Sequence, residues 1–184
     1  DAATLNTDEE VCVLEVGVGT GCISLSIATE RPQARVYATD LSPQAIALAT
    51  RNRDALDLQE RVELIECDLV EGVPTELTQS FSVLVSNPPY IPTSVLEQEV
   101  PAEVKGFEPE LALDGGEDGL DVYRRLLEAA PRMLLPGGML CIELYEGHLD
   151  KAAHLAEEQG VWESVEVKED LTHRPRILVA HLAK

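Results

Sequence analysis

The stretch Val11-Cys12-Val13-Leu14-Glu15-Val16-Gly17-Val18-Gly19-Thr20-Gly21 decides the fold. Val11 to Val16 is a largely apolar run of strand length, and it passes directly into glycines at alternate positions before the helix-like Cys22 to Glu30. The order is strand, glycine loop, helix. Alternate glycines let the backbone turn tightly and approach a ligand, while the helix start adds unpaired N–H groups and a positive dipole end. The spacing is G-x-G-x-G rather than the G-x-G-x-x-G of dinucleotide-binding loops, so alone it reads equally well as a plain tight turn.

The next segments favour a ligand. Arg35-Val36-Tyr37-Ala38-Thr39 reads as a second strand with Asp40 at its carboxyl end, 19 residues after Gly21. An acid at that place grips ribose hydroxyls, whereas its plain alternative is to favour the start of the next helix. Ser42 followed by Pro43 marks that helix start, and Ala45, Ile46, Ala49 and Leu56 give it an apolar face through Leu58. Val62 to Glu66 is a third strand, with Cys67-Asp68-Leu69 at its end. Asp68 is a second carboxylate on the same sheet edge, suited to accept from an exocyclic amine or simply to be solvated.

A fourth apolar run, Phe81 to Val85, stops at Ser86-Asn87-Pro88-Pro89-Tyr90. A residue before proline is driven out of the helical region and each proline lacks a donor, so the chain leaves the sheet in a stiff turn. Asn87 then holds an amide acceptor at a strand's carboxyl end, where open α/β sheets hold their ligands. With a planar nitrogen as substrate, the Asn87 side-chain oxygen and the Pro88 carbonyl each accept one N–H and aim the nitrogen at an electrophile. The plain alternative is a strand-ending turn with no other duty.

From Ile91 to about Asp118 no periodicity is sustained, and a loop of that length inside a compact domain is usually functional or disordered. We expect it to cover the site. Between Glu97 and Asp121 lie nine acids and one base, Lys105. This segment suits a basic protein surface, or is a solvated acidic face. Leu120 to Leu135 returns to helical spacing, with Pro131 expected to shorten or kink the helix. Pro136-Gly137-Gly138 turns into a fifth strand, Met139 to Leu144, and His148 to Gln159 is a helix closed by Gly160. Val161 to Lys168 and Arg176 to Leu182 are two strands with no helix between them, which implies an antiparallel pair at one sheet edge.

Composition bounds the function. A chain of 184 residues with 45% hydrophobic content is sized for one domain with a full core. A formal charge of −20 argues against binding the phosphate backbone of nucleic acid, which requires Lys and Arg. Cys12, Cys22, Cys67 and Cys141 lie far apart, mostly in apolar runs, and read as small core residues of a reducing compartment, the cytoplasm. No apolar run approaches the length of a membrane span. His148 and His154 stand six apart and share no helix face, so no metal site is expected.

Glu15 to Gly21, Asp40, Asp68 and Asn87-Pro88-Pro89-Tyr90 together resemble a class I methyltransferase dependent on S-adenosylmethionine. Gly106-Phe107-Glu108-Pro109-Glu110-Leu111-Ala112-Leu113-Asp114-Gly115-Gly116 and Asp118-Gly119-Leu120 are similar to one branch, the HemK/PrmC family. Its members are protein-glutamine N5-methyltransferases of peptide chain release factors. The likeness runs from about residue 11 to the end. It implies an α/β, Rossmann-like fold: a mostly parallel seven-stranded sheet with an antiparallel edge strand and helices on both faces. It implies S-adenosylmethionine as cofactor, with Gly17, Gly19 and Gly21 against its methionine part, Asp40 on the ribose, Asp68 and Leu69 bracketing the adenine, and Glu15 also on the cofactor side.

By the same resemblance Asn87 and Pro88 hold the glutamine amide, with Asn87 also on the cofactor side, Pro89 stiffens the turn, and Tyr90 packs against the amide plane, its plain alternative being a core tyrosine that holds the turn. The implied partner is a release factor, with no direct nucleic acid, no membrane and a monomeric enzyme. The family also carries a helical domain ahead of the catalytic one, and we expect residues 1–184 to correspond to the catalytic domain alone. The chain departs from the family near Tyr145, where a glycine is usual in a Glu-Ile-Gly-like stretch, and before Arg174, where a glycine is common. Two other readings fit an Asn-Pro-Pro-Tyr turn. One is a nucleic-acid adenine or guanine methyltransferase, opposed by the acidic charge and few aromatics. The other is a binding module without catalysis, opposed by the presence of the orienting and cofactor-side residues.

Overall fold

The structure, a computed structural model, describes residues 11–98 and 112–184. In chain order the elements are β1 (Val11–Val16), α1 (Cys22–Glu30), β2 (Ala34–Asp40), α2 (Pro43–Ala55), β3 (Val62–Glu66), β4 (Phe81–Ser86) and α3 (Thr93–Gln98). There follow α4 (Asp121–Met133), β5 (Leu134–Glu143), α5 (Leu149–Glu158), β6 (Trp162–Glu169) and β7 (Pro175–Leu182). Among the described residues seven strands form one sheet in the order β3-β2-β1-β4-β5-β7-β6. The first five run parallel, and β7 pairs antiparallel with both β5 and β6. The expected antiparallel pair therefore closes one edge, with β6 outermost and β7 the reversed strand.

Both faces of the sheet are covered, because β1 sends alternate residues to opposite sides. Leu14 and Val16 join a large cluster with Phe81, Leu126, Tyr123 and Leu149 beneath α4 and α5. Val13 joins Leu25 and Ala28 of α1 with Val36 and Val62 on the other side. The helix starts differ in an instructive way. Ser42 caps α2 as its sequence predicts, its hydroxyl accepting from the Ala45 N–H at 3.2 Å ahead of Pro43. The N-cap of α1 is Gly21, which has no side chain, and the capping acceptor comes instead from Glu15 on β1: its carboxylate takes the Ser24 N–H at 2.9 Å.

α4 stops at Met133, two residues after Pro131 and short of Leu135, and three other details differ from the sequence expectation. Proline leaves the Leu127 carbonyl without its helical donor, and the Gln159 side chain supplies one at 3.1 Å. Leu134 already belongs to β5, pairing with Phe81, and Pro136-Gly137-Gly138 is an irregularity between that pair and Val83–Met139 rather than a turn ahead of the strand. The segment from Ile91 has more order than its lack of periodicity suggests: α3 begins at Thr93, and Ile91 bridges Asp114. Most of the acidic segment, with Phe107-Glu108-Pro109, lies outside the described residues. Finally, Cys22 is exposed and the other three cysteines are half-buried, so none is a full core residue. Cys22 misses the core because it is the first residue of α1, beside the glycine loop.

Candidate active site

The strand order reverses direction between β1 and β4: from β1 the chain proceeds outward to β2 and β3, then returns on the other side to β4 and β5. Such a switch point opens a crevice at the carboxyl ends of the two central strands, where open α/β sheets bind ligands. Val16 and Ser86 are paired in register, so the glycine loop and the Asn87 turn leave the sheet side by side.

The glycine loop is held from below. The N–H groups of Gly17 and Val18 both donate to the Thr39 carbonyl, at 2.8 and 2.9 Å, and Asn52 donates its side-chain N–H to the Thr20 carbonyl at 2.8 Å. Gly17 and Gly19 have φ of +81° and +53°, the left-handed region where glycine is at home. A Cβ added at either meets nothing within 4 Å. Space beside the loop is therefore open, which is the fit a cofactor lying against the backbone requires.

Asp40 closes the loop from β2. One carboxylate oxygen accepts from the Gly19 N–H and the other from the Ser42 N–H, each at 2.9 Å. Each oxygen keeps a second lone pair for a ligand hydroxyl. Glu15 lies deeper, 2% exposed, and takes both the N–H and the hydroxyl of Ser24. Burial pushes its carboxyl up to about 7, outweighing the two Ser24 hydrogen bonds, and the nearby Asp40 charge adds to the rise.

Asp68 and Leu69 follow β3. Asp68 forms a 2.7 Å ion pair with Arg125 of α4, a partner that nothing local in the sequence signals. Leu69 adopts φ +47°, unusual for a branched side chain, and the buried Thr39 hydroxyl donates to its carbonyl at 2.6 Å. Strain of this kind survives where the surroundings fix it, and it clusters at functional sites.

Asn87 is exposed and its amide makes no hydrogen bond with a described residue, while Pro88 is buried and Pro89 and Tyr90 are half-buried. Behind the turn, residues 113–119 are stapled to the chain following Tyr90. The Ile91 N–H donates to the Leu113 carbonyl, Gly115 N–H to the Ile91 carbonyl, and the Thr93 hydroxyl to Asp114 at 2.7 Å. Gly119 is wedged between the Tyr90 carbonyl and the His148 ring: a Cβ there would stand 2.4 Å from one and 2.5 Å from the other. Asp118 beside it is held well below the usual carboxylate range by Arg124 and Lys151. The fold brings Glu15, the glycines, Asp40 and Asn87 to Tyr90, all predicted from the sequence, to one crevice, and sets Asp68 and Leu69 at its β3 end. The sequence reading missed Ser24, Thr39, Asn52 and His148, whose partners are distant in sequence.

The family model described as "Methyltransferase small domain" matches residues 2–104. The chain is 41% identical over 177 residues to a release factor glutamine methyltransferase of Moorella thermoacetica, covering 96% of this chain and 61% of that protein. It is 46% identical over 148 residues to the release factor glutamine methyltransferase of Geobacter sulfurreducens, covering 80% of this chain and 50% of that one. The chain thus spans about three fifths or less of the length of these relatives. Among solved structures, a methyltransferase from Pyrococcus furiosus superposes with a TM-score of 0.70 at 21% identity, covering 96% of this chain and 76% of that one, a likeness of fold. No helix among the described residues is long and apolar enough to cross a membrane.

Proposed function

The chain belongs to the methyltransferase small domain family, and from that premise we propose that it methylates the side-chain amide nitrogen of a glutamine in the Gly-Gly-Gln loop of a peptide chain release factor, with S-adenosylmethionine as donor. The observation that carries this reading is the Val16–Ser86 register, which sets an open glycine loop against an Asn-Pro-Pro-Tyr turn. The substrate class is supported by the names of relatives 38–46% identical to it. The residues suited to the donor are Gly17, Gly19 and Gly21 with Glu15 on its methionine side, Asp40 on its ribose, and Asp68 with Leu69 around its adenine. When bound, the donor supplies a methyl group made electrophilic by a sulfonium.

The chain's task is to orient a poor nucleophile. An amide nitrogen delocalises its lone pair into the carbonyl, so alignment has to contribute much of the rate, and orientation can be worth ~7–11 kcal/mol. The Asn87 side-chain oxygen and the Pro88 carbonyl accept the two amide N–H groups and leave the nitrogen lone pair facing outward. Two prolines keep both acceptors from moving as the reaction proceeds. As positive charge develops on nitrogen, both hydrogen bonds strengthen, which is the differential binding catalysis requires. Tyr90 packs against the amide plane. The methylated amide then becomes acidic and loses its proton to water, so no strong base is needed.

On this reading the enzyme works as a monomer in the cytoplasm, without nucleic acid or membrane partners. Labelled methyl transferred from S-adenosylmethionine to a purified release factor, but not to one whose loop glutamine is replaced by alanine, tests the proposal. Equal labelling of both would reject it.

A further inference from the structure

Tyr145, one departure from the family pattern, contacts β7, the strand that follows the other. Arg176 stands over the Tyr145 ring, 5.8 Å from guanidinium carbon to ring centroid, and the Leu144 N–H donates to the Arg176 carbonyl at 2.8 Å. The residue before Arg174 is His173, which takes φ +61° where glycine would be unstrained. The hairpin is held in that shape by Asp170, whose carboxylate accepts from the Thr172 and Arg174 N–H groups and the Thr172 hydroxyl.

This pair flanks the site. Ser86 pairs with Ile142, so Asn87 and Glu143 are the next residues at the carboxyl ends of two neighbouring strands. Tyr145 follows two residues later and is 44% exposed. Its other contacts are internal: the His148 ring meets it edge-on at 5.2 Å, and Gly147 fits closely against its edge. His148 in turn packs on Gly119, and Gly119 on the Tyr90 carbonyl. A continuous set of contacts therefore fixes Tyr145 relative to the Asn87–Tyr90 turn. Arg176 makes no ion pair within 4 Å with a described residue, although its charge helps to hold the Asp170 carboxyl below its ordinary value.

We infer that Tyr145 and Arg176 are specificity-determining residues that receive the polypeptide backbone beside the methyl-accepting side chain. The inference rests on the proposed function and names which groups of this chain read the substrate next to the reacting amide. A guanidinium beside a half-exposed aromatic ring suits a peptide group, which is planar, packs against a ring and offers a carbonyl to the guanidinium. It suits a Gly-Gly segment in particular, since glycines leave both faces of the peptide plane bare. A nucleic-acid backbone is a poor match, because the chain carries a formal charge of −20.

The test measures steady-state methylation of a glutamine peptide with its two flanking glycines by the parent chain, Tyr145→Ala, Tyr145→Phe and Arg176→Gln. Cofactor Kd by calorimetry serves as the check on folding. The expected result is a KM raised about tenfold in Tyr145→Ala and Arg176→Gln, the usual scale for truncating a substrate anchor. Cofactor Kd is unchanged, kcat falls much less than KM rises, and Tyr145→Phe, which keeps the ring, recovers most of the loss. Parent-like KM in Tyr145→Ala and Arg176→Gln overturns the inference and leaves the proposed function standing. A parent chain that methylates neither the peptide nor the intact release factor overturns both. If Tyr145→Ala fails to bind cofactor, Arg176→Gln decides alone by the same criterion.

Discussion

The Ser86 hydroxyl donates a 2.7 Å hydrogen bond to the Val16 carbonyl, tying the carboxyl end of β4 to that of β1. Both residues are buried, and the next residue on each strand, Asn87 or Gly17, opens the crevice. The hydroxyl thus adds a side-chain tie to the β1–β4 ladder at the point where the glycine loop and the Asn-Pro-Pro-Tyr turn leave the sheet. Ser86→Ala is expected to cost about 1–2 kcal/mol of stability, the scale of a buried hydrogen bond with its acceptor left behind. Urea unfolding with an unchanged midpoint would show that the two strand ends do not depend on it.

Asp40 ties the glycine loop to the start of α2, with one oxygen on Gly19 and the other on Ser42, and is the residue proposed for the donor's ribose. Asp40→Ala removes both contacts and the acceptor meant for the donor's hydroxyls, and a loss of roughly 1–3 kcal/mol in S-adenosylmethionine affinity is expected. Calorimetry giving equal affinities for mutant and parent would remove Asp40 from the site.

Asn87 yields a contrasting prediction, because the contact proposed for its side-chain oxygen is with the reacting amide. Asn87→Ala should lower methyl transfer by ~10²-fold or more, as deletion of a transition-state hydrogen-bond partner does, with cofactor affinity nearly intact. Turnover within a few-fold of the parent would assign the orienting role elsewhere.

Glu15 yields a pH dependence. Its folded value of about 7 lies above the ordinary 4.5, so the folded state binds the proton more tightly than the unfolded one. The resulting stabilisation is fully present below about pH 4.5 and is lost as pH rises through about 7. The full span is on the order of 3 kcal/mol. Without cofactor, Glu15→Gln should therefore match the parent near pH 4.5 and exceed it in stability above pH 7, since a neutral amide keeps an acceptor for Ser24 without a buried charge. Parallel stability curves for the two proteins between those pH values would contradict this assignment.

Much of this arrangement was legible in the sequence, for physical reasons that differ by element. Val11–Val16 and Phe81–Ser86 announce themselves because buried parallel strands are continuous apolar runs, and Gly17, Ser42 and Asn87-Pro88 because turns and caps demand particular residues. Leu134 was assigned to the helix before it because an apolar residue fits either period, and only its pairing with Phe81 separates the two. Thr93–Gln98 was missed because six residues are too few to show periodicity. Ser24, Asn52 and Arg125 act on groups 9, 32 and 57 residues away, and no local pattern carries such a pairing.

The central claim is that the Asn87 turn presents an amide nitrogen of a release factor for methylation. Fragmentation mass spectrometry of a release factor incubated with this chain and S-adenosylmethionine tests it most directly. The account predicts a single added methyl on the side-chain amide nitrogen of the glutamine in the Gly-Gly-Gln loop, absent when Asn87→Ala replaces the parent. A release factor left unmodified, or a methyl found on another residue, would contradict it.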